Sequence, residues 1–157
     1  MKAFFPQNVE DVTSSAIPNS IEAIALARDY NIAAVLPAAF YQLARTTLVN
    51  SNELEKLKHR DLVLVSNFQK KVALFWDDIF ETVGHDCRVA KCVMFHTQHV
   101  HSIKKIYPLD PIMGMHKLIE YNWIAAKEYC PTASKDVVNK LKMGRLQFWD
   151  KMKVWLR

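Results

Sequence analysis

The chain has 157 residues, half of them hydrophobic and 24% charged, which excludes a disordered chain and allows one domain with a sizeable core. Three glycines and no Asn-Gly or Asp-Gly pair leave hairpin turns without their usual residues, pointing to an all-α fold. The net charge of +5 comes from the end of the chain, because residues 131–157 hold seven basic against two acidic side chains while 1–130 are balanced.

Residues 1–18, with Pro6 and Pro18, read as an irregular lead-in, and 19–157 as a single all-α domain, a helical bundle of about six helices. "MKAFFPQNVED" is too short an apolar run for a secretory signal. The longest uncharged apolar run, 32–41, contains Pro37 and falls far short of the ~20 residues of a membrane span.

Asn19 is expected to N-cap the first helix, with Glu22 completing a capping box. Asn31 is expected to close that helix in a left-handed conformation. A second helix follows over 34–48, with Pro37 in its first turn, where no backbone donor is lost. Asn50 and Glu53 repeat the capping pattern and predict a short helix over 50–59. From 61 to 83, Val65, Phe68, Val72, Phe75, Trp76, Ile79 and Val83 form one wide stripe, ended by Gly84. A helix within 87–107 stops at Tyr107-Pro108. Asp110 as N-cap and Pro111 at the first helical position start another, with Ile112, Met115, Ile119, Trp123 and Ala126 inward. The last runs from 134 to 156 on Val137, Leu141, Phe148, Met152 and Trp155. Trp155, near the terminus, is a candidate exposed aromatic contact.

The stretch "SIEAIALARDYNIAAVLPAAFYQLAR" has the spacing of a DNA-binding helix-turn-helix. A recognition helix offers polar side chains to base edges from its early residues. Residues 33–40 are Ala, Ala, Val, Leu, Pro, Ala, Ala and Phe, which favour close helix packing instead. In the terminal segment Lys135, Lys142, Lys153 and Arg157 flank the apolar stripe on one side, Lys140 and Lys151 on the other, and Arg145 falls inside its arc. A nucleic-acid groove needs one contiguous row, so nucleic-acid binding is the second reading.

The same residues resemble the helical, BACK-like region that follows the BTB/POZ domain in basidiomycete fungal BTB-domain proteins. The resemblance runs from about residue 17 onward. Its most specific block is Leu36 to Tyr41, LPAAFY, preceded by the Leu26-Ala27-Arg28 motif and Ile32. Cys87 and Cys92, Leu109-Asp110-Pro111, and Cys130, Gly144, Arg145 and Trp149 fit its looser later pattern.

The resemblance implies a non-catalytic interaction or scaffold domain that binds a protein partner, with the BTB domain itself missing and "AFFP" its last trace. It also implies a second Cys pair at 130 and 133, which with Cys87 and Cys92 makes four thiolates for a structural zinc. Here position 133 is alanine, so Cys87, Cys92 and Cys130 would need His85, His96, His99 or His101 as a fourth ligand. The alternative is that these cysteines are small buried hydrophobes.

Three cysteines without an export signal fit a reducing intracellular address, cytoplasmic or nuclear. His96 and His99 can share a helix face, but no carboxylate follows at helical spacing, so a catalytic metal site is not expected. Asp77, Asp78 and Glu81 cluster at a helix end and read as a solvated face or as partners for basic side chains elsewhere. No Gly-x-Ser-x-Gly, phosphate loop or acid-base pair is present, and the chain is not expected to be an enzyme.

Overall fold

The computed structural model describes residues 6, 8–12, 19–46, 55–83, 90–123 and 131–156, with side chains except at 80–83 and 131–133. The chain is all-α. Among these residues lie six α-helices, two 3₁₀ turns and no strand. The helices are α1 (Ser20–Asp29), α2 (Leu36–Arg45), α3 (His59–Val83), α4 (Ala90–Ile106), α5 (Pro111–Glu120) and α6 (Pro131–Trp155). Among the described residues no helix is long and apolar enough to cross a membrane.

Contacts group the chain into two compact units, Met1–Lys71 with Trp149–Arg157, and Val72–Phe148. α3 and α6 each contribute to both.

In the first unit, α1 packs on α2. The expected capping box at Asn19 does not form. Asn19 is left-handed (φ 62°) with no side-chain cap, and α1 starts on its carbonyl, which accepts from the Ala23 amide at 3.0 Å. An N-cap side chain needs extended backbone to reach the next turn, and the left-handed geometry removes that reach. Glu22 instead pairs with Lys56 at 3.2 Å.

The other end follows expectation. Asn31 is left-handed (φ 55°), the Ile32 amide donates to the Ala27 carbonyl at 2.8 Å, and the Asn31 amide to that of Arg28 at 3.4 Å. This is the paired closure that satisfies a helix's last carbonyls.

A 3₁₀ turn, Ala33–Val35, leads into α2, with Pro37 in the first turn as expected. α2 stops at Thr46, whose hydroxyl donates to the Gln42 carbonyl at 2.7 Å, while Gln69 Nε2 reaches the Ala44 carbonyl at 3.1 Å. Phe40 and Tyr41 are fully buried, and burying side chains of this size contributes about 1.5–3 kcal/mol each. Tyr41 meets Phe68 edge-on at 6.2 Å.

Most of the short helix expected over 50–59 lies outside the described residues. Residues 55–57 form a turn, and His59 already belongs to α3. Trp155 is half-buried, 6.1 Å from Phe68 with the Lys71 ammonium over its ring, so it is not the exposed contact expected of it.

The second unit is built around Trp76, fully buried, whose indole donates to the Tyr107 carbonyl at 3.2 Å. α5 begins as expected: Asp110 Oδ1 accepts from the Met113 amide at 3.1 Å, with Pro111 in the first turn. It ends at Glu120, because Tyr121 turns extended (ψ 135°). Trp123 then folds back, donating from its indole to the Leu118 carbonyl at 2.8 Å. The α6 stripe of Val137, Leu141 and Phe148 is buried, with Phe148 4.9 Å from Phe75.

Candidate interaction surface

The α1–α2 hairpin carries the geometry on which base reading and packing differ. In α2, Leu36 and all residues from 38 to 44 are buried, and only Pro37 and Arg45 are partly exposed. A recognition helix has to lay an exposed polar face in the major groove. α2 has no such face. Outside it, α1 exposes Glu22 and Asp29, two carboxylates that phosphates would repel, alongside Leu26.

Leu26 (55% exposed) and Tyr30 (73%) lie four residues apart on that outer face, and Ile32 (49%) follows them. Together they make a short exposed apolar ridge, a candidate contact surface. Sequence reasoning placed the two ends of α1 and overlooked this ridge. The signal was present, since Leu26 falls about 200° from Ile24 on the helical wheel.

At the basic end of the chain, two of the lysines are paired with carboxylates of their own helix. Lys140 pairs with Asp136 at 2.9 Å, and Lys153 with Asp150 at 3.1 Å while lying over Trp149. Arg145, placed inside the apolar arc by the sequence, is buried at 7% exposure. Arg157 lies outside the described residues. Of the acidic cluster, Asp77 is held by Lys104, a basic partner from another helix as expected.

Of the expected zinc ligands, Cys92 is buried on α4, whereas Cys87, Cys130 and His85 lie outside the described residues. Among the described residues no three His, Cys, Asp or Glu side chains come together to hold a metal.

The histidines of "HTQHVH" separate by burial: His96 is buried, His99 half-buried and His101 exposed. The His99 ring lies 3.9 Å from that of Tyr121 at a tilt of 39° and meets Trp123 edge-on at 5.2 Å, and its Nε2 is buried with no hydrogen-bond partner. Burial holds the His99 imidazole below its ordinary pKa of 6.5.

The folded state therefore binds this proton less readily than the unfolded chain. The stability tied to His99 is complete above pH 6.5 and is lost as pH falls through the lower folded value. Melting curves from about pH 7.5 down to about pH 5 are expected to fall more steeply for the native chain than for His99→Phe. Parallel curves would contradict this assignment.

No family model, curated protein or solved structure matches the chain.

Proposed function

We propose that this chain is a non-catalytic protein–protein interaction domain of the kind found behind BTB domains in fungal proteins, working inside the cell. The observation that carries the reading is the ridge of Leu26, Tyr30 and Ile32, exposed on a hairpin whose second helix is almost wholly buried. The buried faces are used in packing, and on this hairpin the apolar ridge is the surface left open to a partner. Tyrosine at such a position is a frequent anchor of binding energy.

Affinity capture with the native chain and with Leu26→Ser/Tyr30→Ser tests it. Both side chains are exposed, so the melting temperature is expected to stay within a few degrees. Losing an anchor of about 2 kcal/mol is expected to weaken the captured partner's binding about thirtyfold. Equal capture by both forms contradicts the proposal.

A further inference from the structure

The first unit contains a cavity of about 380 Å³ beside the entrance to α2. Ala33, Ala34 and Pro37 make one apolar wall and Trp149 another. The exposed Ala33 and Ala34 open this side to solvent.

The cavity's charged edges are both cationic, Arg28 and Lys153. Arg28 gives Asp61 one hydrogen bond at 2.9 Å, out of the five N–H donors that a guanidinium carries. Lys153 is held by Asp150 in a pair whose side chains are 40% and 75% exposed, a contact that contributes little. Ala33 and Ala34 form the 3₁₀ turn that leads into α2, and Pro37 lies in the first turn of α2; the Leu36 amide donates to the Ala33 carbonyl and Pro37 has no N–H, so this end adds only the weak positive dipole of the helix. Two cations, each sharing its charge with one carboxylate, thus border an apolar space, with Lys153 in the more exposed and weaker pair.

Resting on the interaction reading above, we propose that this cavity anchors a partner peptide by an apolar side chain with a carboxylate beside it. The apolar group lies against Trp149 and the alanines. The carboxylate sits between Arg28, Lys153 and the start of α2. The volume is near the bottom of the range for small-molecule sites, about 300–1,000 Å³. From Ala34 and Ala33 the exposed surface continues through Ile32 and, past the polar Asn31, to Tyr30, a length that a peptide covers and a small ligand does not.

Panning random phage-displayed peptides of about twelve residues on the full chain, followed by anisotropy titration of the enriched sequences, tests this. The enriched peptides are expected to pair a large apolar residue with Asp or Glu. Ala34→Trp, which fills the cavity from an exposed position, is expected to weaken them more than tenfold. Lys153→Gln is expected to weaken the acidic peptides about threefold to tenfold and their Asn or Gln analogues hardly at all.

The proposal is overturned if no such motif is enriched, if Ala34→Trp binds as the native chain does, or if Lys153→Gln affects acidic and neutral peptides alike. Octanoate that binds at this cavity as tightly as the enriched peptides also overturns it, because the peptide's contacts outside the cavity would then add nothing. Capture that is lost in Leu26→Ser/Tyr30→Ser but kept in Ala34→Trp removes the pocket and leaves the interaction domain standing. Capture that both variants retain removes both.

Discussion

Arg28→Met is expected to lower the unfolding free energy by about 3 kcal/mol, the scale for breaking a buried ion pair from one side. Asp61 is the reason: its side chain is only 4% exposed, and Arg28 is its partner at 2.9 Å. Without the guanidinium, the carboxylate is left without its ion-pair partner in a poorly hydrated place, which is unfavourable. The variant also loses the cation above the Phe40 ring, 5.8 Å away.

The pair is asymmetric. Arg28 keeps 22% exposure, so it can turn towards water when Asp61 is removed. Asp61→Asn is therefore expected to cost less than Arg28→Met, and the double variant to recover part of the loss. Chemical denaturation of the four forms measures this. Equal losses for the two single variants, adding in the double, would mean that the pair is not coupled.

The two described helix glycines are expected to respond to alanine with opposite signs. On helix propensity alone each substitution stabilises by about 1 kcal/mol. A Cβ at Gly114 would lie 2.6 Å from two Trp76 ring atoms and 3.3 Å from the Tyr107 Cβ. Trp76 cannot yield, since it is fully buried and tied through its indole to the Tyr107 carbonyl. Overpacking of this kind costs about 1–3 kcal/mol and outweighs the propensity gain, so Gly114→Ala is expected to destabilise.

At Gly144 the close atom is the terminal methyl of Ile79, at 2.7 Å, with the Met115 sulfur at 3.2 Å. Both belong to flexible side chains that can turn aside. Gly144→Ala is expected to be neutral or stabilising by up to about 1 kcal/mol. Denaturation midpoints that move the same way in both variants would contradict the packing described around Trp76.

The helical class and most helix starts were legible in the sequence because they rest on local chemistry. Asp110-Pro111 needs only its own first turn to be read, and Asn31 only its tolerance of positive φ. Arg145 inside the apolar arc was legible from the helical period alone. Asn19 misled because asparagine serves both as an N-cap and as a left-handed residue, and composition does not distinguish them.

The end of α5 carried no signal. "EYNWIAAKEY" keeps an apolar period past Glu120, and the return of Trp123 to Leu118 is a tertiary choice. The cavity was not legible at all. Arg28, Ala34, Trp149 and Lys153 come from distant parts of the chain, and no sequence window holds them together.

The most direct test of the interaction reading is the salt dependence of whatever the native chain captures. A partner held on the Leu26–Tyr30 ridge is expected to keep nearly the same affinity from about 50 to about 200 mM salt and to survive nuclease treatment. Affinity that falls by orders of magnitude across that range, with loss of the complex on nuclease treatment, would show that the chain binds nucleic acid instead.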